Sequence, residues 1–309
     1  MKFYRLISCV SAVFILLFFP LRVQGQSLPD PVIISSGWQL NDVSKVVQPG
    51  NEISQPAFHP KGWYKAVVPG TILTSLVNNK VYPEPLYGEN NRPDKIPESL
   101  CRTSYWYRTT FMVPKNYSGK TIWLNFDGIN YTARVWINGK EAGKIQGAFT
   151  RGIFDVTSEV IPGKLAILAV LVSPQPNPGE SHEHTIANGL GKNGGITAID
   201  GPTFLCSIGW DWIPAIRDRN TGIWQKVFLS ATGKVLIKNP LVTSDVQLPG
   251  LKTADLKIQT TVENISDKPQ KGVLKCSFGD VSFQKTVELP ARTSQVLSFD
   301  PSSVPQLHL

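Results

Sequence analysis

The 309-residue sequence is poor in cysteine, methionine and charged residues, and each shortage excludes some classes of protein. It has four cysteines, two methionines and 17% charged residues. Without a CxxC pair or zinc-ligand spacing, neither a zinc site nor a dense disulfide framework is expected. The excess of positive charge is mild and spread along the chain, with no basic run between aromatic residues. We therefore expect no nucleic-acid partner, no metal and no cofactor.

The first 25 residues are typical of a secretory signal peptide. Lys2 and Arg5 precede an apolar stretch, residues 10–19, that is too short to span a bilayer. Val23-Gln24-Gly25 provides the small-residue end of a cleavage site. We expect cleavage near residue 25 and export to the periplasm or the extracellular space. No later segment is long and apolar enough to cross a membrane, so we expect no membrane partner.

Three cysteines remain after such cleavage: Cys101, Cys206 and Cys276. An odd number in an exported protein leaves at least one free thiol. Cys101 and Cys206 are candidates for a disulfide, although nothing in the sequence brings them together. Cys276 lies in a strand-like pattern and is expected to be a small buried apolar residue.

Residues 26–233 are patterned as short strands separated by glycine, proline and asparagine. Leu165 to Val172 are eight consecutive apolar residues between turn signals, which predicts a strand buried on both faces. Asn138-Gly139 predicts a tight hairpin, because both central positions of that turn need positive φ. Thr71 predicts the N-cap of one short helix. Ile223 to Leu229 predicts the last strand of this region.

Two long loops interrupt the strands. Residues 78–100 are rich in proline and asparagine, and a loop of this length is expected to be functional or an interaction surface. The second loop, residues 173–200, contains Ser181-His182-Glu183-His184. Two histidines beside an acid without a third ligand favour a solvent-facing loop over a metal site.

Residues 234–309 form a separate pattern with cleanly alternating apolar positions, such as Leu256, Ile258 and Val262. The pattern predicts four or five strands, whereas an immunoglobulin-like sandwich has about seven. We therefore expect an incomplete sandwich with an open edge in a truncated chain.

The segment Gly209-Trp210-Asp211-Trp212 is unusual because two indoles flank one carboxylate. The C–H face of a pyranose can lie on an aromatic ring, and its hydroxyls need a charged acceptor. On these four residues alone, a core role for the tryptophans with Asp211 capping a turn is slightly favoured. A polar stretch, residues 217–220, follows the segment.

A series of motifs runs along residues 35–230 in a specific order. The motifs are Val68-Pro69-Gly70-Thr71, Pro85-Leu86-Tyr87-Gly88, Tyr105-Trp106-Tyr107-Arg108, Gly128-Ile129-Asn130-Tyr131, Val135-Trp136-Ile137-Asn138-Gly139, Phe149-Thr150-Arg151, Phe154-Asp155-Val156-Thr157 and Gly209-Trp210-Asp211-Trp212. In order and spacing they resemble the sugar-binding jelly-roll domain of glycoside hydrolase family 2. The resemblance implies an all-β fold. A jelly-roll (galactose-binding-like) β-sandwich over residues 26–233 would precede an incomplete immunoglobulin-like β-sandwich over residues 234–309.

Within that family, the Trp-Asp-Trp motif resembles the branch of the exo-β-glucosaminidases and β-mannosidases. The resemblance implies that Asp211 binds sugar hydroxyls at the non-reducing end and that Trp210 walls the pocket. For Trp212 we expect packing as pocket support, with contact to the catalytic barrel second. It also implies a retaining, two-carboxylate mechanism on a (β/α)8 domain. That domain is missing here, so we assign no catalytic residue and interpret Asn51-Glu52 as a chance dipeptide.

The leading hypothesis is therefore the N-terminal part of an exported glycoside hydrolase, exo-acting on β-linked glucosamine or mannose ends. We expect the chain alone to be inactive, with an oligosaccharide substrate and a catalytic domain as its partners. The alternative is a stand-alone, non-catalytic carbohydrate-binding protein. A surface adhesion or scaffold protein is a third hypothesis.

Overall fold

A computed structural model describes residues 28–179, 186–187, 189, 201, 203 and 215–309. These residues form fifteen β-strands, two short α-helices and a few single turns of 3₁₀-helix. The predicted all-β fold class is confirmed. Within the described ranges, no helix has the length and apolar character that a membrane crossing requires.

Ten strands belong to the region before residue 233. They are β1 (Val32–Ile33), β2 (Gln39–Asp42), β3 (Tyr64–Lys65), β4 (Tyr105–Met112), β5 (Thr121–Phe126), β6 (Thr132–Ile137), β7 (Lys140–Gln146), β8 (Gly152–Asp155), β9 (Leu165–Ser173) and β10 (Val227–Thr232). The helices are α1 (Gly50–Ile53) and α2 (Ile72–Asn78). All pairings are antiparallel, in a six-stranded sheet ordered β3-β2-β4-β9-β6-β7 and a four-stranded sheet ordered β1-β10-β5-β8.

The two sheets share one apolar core, as expected for a β-sandwich. Leu168 and Val170 of β9 contribute to this core together with Leu124 and Leu229 from the facing sheet, and all four are fully buried. Ala169, between the two β9 residues, is buried on the opposite face of the large sheet. The prediction of a strand buried on both faces is therefore confirmed.

Two local predictions of turn chemistry are also confirmed. Asn138 and Gly139 have φ of 48° and 89° and connect β6 to β7. Thr71 caps α2, because its side chain accepts a hydrogen bond from the Thr74 amide at 3.2 Å. The predicted last strand starts later than expected, at Val227. Ile223 is buried, but its carbonyl accepts from the Gly70 amide at 2.8 Å instead of joining a strand ladder.

The remaining five strands follow Thr232, within the predicted number. They are β11 (Val235–Val246), β12 (Ala254–Asn264), β13 (Gln270–Phe278), β14 (Val281–Leu289) and β15 (Ser294–Phe299). They pair as a three-stranded sheet, β11-β12-β15, and a two-stranded sheet, β13-β14. Their core is separate from the first and includes Val262, Leu289 and Phe299. The domain boundary between residues 233 and 234 stays a prediction.

The cysteines differ in their surroundings. Cys101 is a buried free thiol that donates to the Glu98 carbonyl at 3.1 Å, and burial raises its pKa. Cys206 lies outside the described residues, and the candidate Cys101–Cys206 disulfide is not formed, because Cys101 is free. Cys276, expected to be buried, is only half-buried because β13 belongs to a two-stranded sheet.

Candidate functional site: a loop on a buried ionic anchor

The two predicted sugar-binding residues, Trp210 and Asp211, and the predicted pocket support, Trp212, lie outside the described residues, as do the His182-Glu183-His184 positions. The chain is described again from Ala215, directly after the tryptophan segment. Its path from Ala215 to Gly222 shows how the C-terminal side of this segment, which we call the Trp-Asp-Trp loop (residues 204–214), is attached to the sandwich.

The attachment is built on one buried carboxylate between two buried guanidinium groups. Glu98 is 1% exposed, Arg217 is 0% exposed and Arg219 is 3% exposed. Arg217 Nη1 donates to Glu98 Oε2 at 2.5 Å, and Arg219 Nη2 donates to Oε1 of the same carboxylate. Buried charges persist only when they are paired and hydrogen-bonded. This set, which we call the ionic anchor (Glu98, Arg217 and Arg219), satisfies that condition.

Backbone carbonyl groups also accept hydrogen bonds from both guanidinium groups of the ionic anchor. Arg217 Nε and Nη2 both donate to the Asn91 carbonyl, at 2.9 and 2.8 Å. Arg219 Nε donates to the Pro178 carbonyl at 2.7 Å, and its Nη1 donates to the Ile216 carbonyl at 3.0 Å. The anchor therefore ties three loops together: residues 78–100, the start of residues 173–200, and the exit of the Trp-Asp-Trp loop.

The backbone at the anchor has an uncommon conformation. Arg219 and Asn220 have φ of 49° and 58°, in the left-handed region that side chains other than glycine rarely adopt. The Asn130 side-chain amide donates to both of their carbonyl groups, each at 3.0 Å. Residues held in this region persist where the surrounding contacts determine the conformation, and such residues cluster at functional sites.

Asp218 fixes the anchor segment to the start of α2. Its carboxylate accepts from the Leu73 amide at 2.8 Å, from the Asn220 amide at 2.9 Å and from the Thr71 side chain. Burial raises the pKa of Asp218, and these hydrogen bonds together with the charge of Arg219 oppose the rise. The site thus holds two carboxylates and two guanidinium groups in one buried cluster.

Gly222 ends the segment at a point where its backbone lies against the backbone of Gly70 and Thr71. Its amide and carbonyl exchange hydrogen bonds with Asn130, both at 2.9 Å. Its φ is +152°, and an added Cβ would lie 2.6 Å from the Gly70 carbonyl oxygen and 2.7 Å from the Thr71 Cα. Only glycine fits this position, so the segment has little freedom to shift.

An open cleft of about 330 Å³ lies beside the anchor segment, between α2 and the 78–100 loop. Polar groups from Thr74, Asn78, Glu84 and Asn220 line it together with the apolar side chain of Leu86. Amides and a carboxylate next to apolar surface can bind hydroxyl groups of a polar ligand. The described residues hold no group of three histidine, cysteine, aspartate or glutamate side chains that could bind a metal ion.

The polar stretch at residues 217–220 was apparent in the sequence, but the burial of its side chains was not. Its partner Glu98 lies 119 positions before Arg217 and begins a single turn of 3₁₀-helix after Pro97, with no periodic pattern around it. The one available signal was the alternation of Arg, Asp and Arg inside an otherwise apolar stretch. Glu52, interpreted as part of a chance dipeptide, is exposed in α1, away from the anchor residues in sequence.

The fold defines an antiparallel β-sandwich domain with a buried ionic anchor directly after the tryptophan segment. A family model described as "Glycosyl hydrolase 2 galactose-binding domain-like" matches residues 38–225. The chain therefore belongs to glycosyl hydrolase family 2.

Several relatives are similar over most of this chain. An exo-beta-D-glucosaminidase from Streptomyces avermitilis is 29% identical over 91% of this chain and 29% of its own length. A mannosylglycoprotein endo-beta-mannosidase from Lilium longiflorum is 33% identical over 66% of this chain and 21% of its own length. The crystal structure of Amycolatopsis orientalis exo-chitosanase CsxA shares the fold, with a TM-score of 0.69 and 24% identity over 88% of this chain and 28% of that chain.

The chain thus spans less than a third of the length of these relatives. The matched family region, residues 38–225, includes the Trp-Asp-Trp loop and the whole ionic anchor. The predicted family is confirmed, whereas the roles of Asp211, Trp210 and Trp212 stay predictions.

Proposed function

We propose that this chain is the N-terminal part of an exported glycoside hydrolase that acts on β-linked glucosamine or mannose at the ends of oligosaccharides. The full enzyme would use a retaining mechanism with two carboxylates on a further (β/α)8 domain. In this chain, Asp211 would accept hydrogen bonds from sugar hydroxyls, Trp210 would wall the pocket and Trp212 would support it.

The family match over residues 38–225 carries this proposal. The names of the relatives, exo-beta-D-glucosaminidase and beta-mannosidase, support the substrate class. One relative is named as an endo-beta-mannosidase. The proposal that the enzyme cleaves at chain ends is therefore supported by the similarity to the exo-glucosaminidases and not by this relative. The ionic anchor supports a functional role for the loop. Burying three charged side chains costs free energy, and a segment fixed by such contacts holds its neighbouring residues in place.

The first experiment incubates the purified chain with chromogenic β-D-glucosaminide and β-D-mannoside substrates. We expect no cleavage, because we assign no nucleophile and no general acid to this chain. Calorimetry with chitosan oligosaccharides on the same sample tests the alternative. Weak or undetectable binding supports a pocket that needs a second domain, whereas tight binding supports a stand-alone carbohydrate-binding protein. Cleavage by the chain would contradict the proposal.

The second experiment tests Asp211 in the longer enzyme. A hydrogen bond from a hydroxyl to a charged acceptor is worth about 1.5–3 kcal/mol, so Asp211→Ala should lower kcat/KM by roughly 10- to 150-fold. Asp280→Ala is the matched control, because Asp280 is an exposed aspartate in the turn between β13 and β14. Equal activity of the two variants would show that Asp211 does not bind the substrate.

Export is tested by the N-terminus of the protein recovered outside the cytoplasm. The positive start at Lys2 and Arg5 and the short apolar stretch support a cleaved signal peptide. We expect the recovered protein to begin near Gln26. Recovery of an intact N-terminus in the cytoplasm would contradict export.

A further inference from the structure

A small polar cavity lies between the large sheet of the first sandwich, α2 and the 78–100 loop. Its volume is about 100 Å³, and three phenol groups and one carboxylate line it. We call it the tyrosine cavity (Asp42, Tyr64, Tyr82 and Tyr105). These residues come from four separate parts of the chain, namely β2, β3, the 78–100 loop and β4. A few polar groups that converge on one cavity are typical of a ligand site.

The strand register explains why these side chains meet. Asp42 of β2 is paired directly with Tyr105 of β4, and Leu40, two residues before Asp42, is paired with Tyr64 of β3. Directly paired residues, and residues two apart along a strand, lie on the same face of a sheet. Leu40 is fully buried in the core, so Asp42, Tyr64 and Tyr105 lie on the inner face of the large sheet.

The hydroxyl groups of the three tyrosines have no hydrogen-bond partner among the described residues. Tyr105 is only 6% exposed, yet its hydroxyl is not enclosed by protein, so this group borders the cavity. Tyr117, a core tyrosine of the same domain, has its hydroxyl 2.8 Å from the Asp30 carbonyl oxygen and 3.1 Å from that of Leu229. Buried tyrosine hydroxyls normally have such partners. The Tyr105 hydroxyl is therefore available to a ligand in the cavity.

The tyrosine cavity offers both hydrogen-bond donors and acceptors. Burial raises the pKa of Tyr82 and of Tyr105, so both phenols keep their protons at neutral pH and can donate. Asp42 supplies a charged acceptor, which binds the Ser44 amide at 2.7 Å and forms no ion pair with the described residues. The exposed Lys45 also lines the cavity, and its positive charge offsets that of Asp42. This balance favours a neutral ligand with hydroxyl groups over an ion.

We propose that the tyrosine cavity is a second carbohydrate-binding site, in which Asp42 and Tyr105 bind neighbouring hydroxyl groups of one sugar unit. A volume of about 100 Å³ holds a few water-sized groups, such as the hydroxyl edge of a pyranose, while the rest of the sugar lies at the mouth. The choice of a sugar among hydroxyl-bearing ligands rests on the proposed function. The cavity does not depend on Asp211 or on a further domain, because described residues of this chain form it.

The test measures binding of glucosamine and mannose trisaccharides to the full purified chain by calorimetry. Glycerol is the control for hydroxyl groups without a sugar ring. Asp42→Asn and Tyr105→Phe each remove one polar group and keep the shape of the side chain, and asparagine can still accept from the Ser44 amide. Tyr117→Phe is the matched control outside the cavity. Amide hydrogen exchange over residues 41–45 and 99–105 locates the bound sugar.

We expect weak binding of at least one trisaccharide and none of glycerol. Tyr105→Phe should weaken sugar binding by roughly 2- to 10-fold, and Asp42→Asn by roughly 10-fold or more, because a charged acceptor forms the stronger hydrogen bond. Tyr105→Phe should leave the Tm unchanged, since its hydroxyl has no protein partner. Tyr117→Phe should lower the Tm by about 2–4 °C and leave binding unchanged.

Three results would overturn the proposal: no sugar binding by the folded chain, equal binding by the wild type and both cavity variants, or equal binding of glycerol. Asp211→Ala in the same chain separates the two sites. Loss of binding in Asp211→Ala, with Tyr105→Phe unaffected, would place the sugar at the Trp-Asp-Trp loop and also overturn it. Failure of the proposed function is seen separately, in kcat/KM of the longer enzyme, which does not depend on Tyr105.

Discussion

The two sandwiches of this chain close their cores to different degrees. In the first, sheets of six and four strands enclose a core in which Leu40, Leu124 and Leu168 are fully buried. In the second, sheets of three and two strands leave Ile237 and Val273 more than half exposed. The described core of the first region is therefore more fully enclosed than that of the second. Similar strand patterns in a sequence can belong to cores of different completeness.

Charged residues show a second difference between the regions. The first region buries the ionic anchor, while the ion pairs of the second, such as Lys271 with Glu288, lie at the surface.

All eight tryptophans precede residue 233, so tryptophan fluorescence reports on the first region alone. Hydrogen exchange reports on both, and together the two signals test each region separately.

Glu98→Ala should have the largest effect. It leaves two buried guanidinium groups without their carboxylate, and breaking a buried ion pair from one side costs about 3–5 kcal/mol. Urea unfolding followed by tryptophan fluorescence measures the loss. Glu89→Ala is the matched control, since Glu89 pairs with Arg92 at the surface and its loss should leave the free energy of unfolding nearly unchanged. Equal losses would show that the anchor is not essential to the first sandwich.

Leucine truncation compares the two cores directly. Leu168 is fully buried, so Leu168→Ala should cost about 2–5 kcal/mol in tryptophan-detected unfolding. Leu274 is half-buried at an open cleft, so Leu274→Ala should cost only about 1 kcal/mol, in exchange-detected unfolding of the second region. A larger loss for Leu274 would mean that the second core is as complete as the first.

Gly222→Ala should have a smaller effect on the first region, about 1–3 kcal/mol, because the new Cβ meets the Gly70 carbonyl and φ is positive. Gly233→Ala is the control, since an added Cβ there meets nothing within 4 Å. Tryptophan-detected urea unfolding measures both. An unchanged midpoint for Gly222→Ala would show that the backbone contact between residues 70 and 222 can relax.

The sequence was informative where local chemistry decides the structure. The hairpin at Asn138-Gly139, the cap at Thr71 and the doubly buried β9 each depend on a few adjacent residues, and each was predicted. The family resemblance also came from local motifs in order. The ionic anchor was not predicted, because it joins residues 119 and 121 positions apart that no periodicity relates. Tertiary burial of charged residues overrides the expectation that they lie at the surface.

The half-buried state of Cys276 and the late start of β10 have the same origin. Both depend on which strands pair, and pairing over long sequence separations is not encoded in alternation alone. The sequence has three Asn-x-Ser/Thr glycosylation sequons, at Asn116, Asn130 and Asn264. Asn130 and Asn264 are buried and their side chains bind backbone carbonyl groups, so they are structural residues despite their sequence pattern.

The coupling between Glu98 and Asp211 tests most directly whether the ionic anchor positions a substrate-binding loop. In the longer enzyme, kcat/KM is measured for the wild type, Asp211→Ala, Glu98→Gln and the double variant, below the unfolding midpoint of each. We predict that Asp211→Ala lowers kcat/KM by roughly 10- to 150-fold in the wild type and by much less once Glu98→Gln has loosened the anchor. The same fold-loss in both backgrounds would show that the anchor stabilises the sandwich without positioning Asp211.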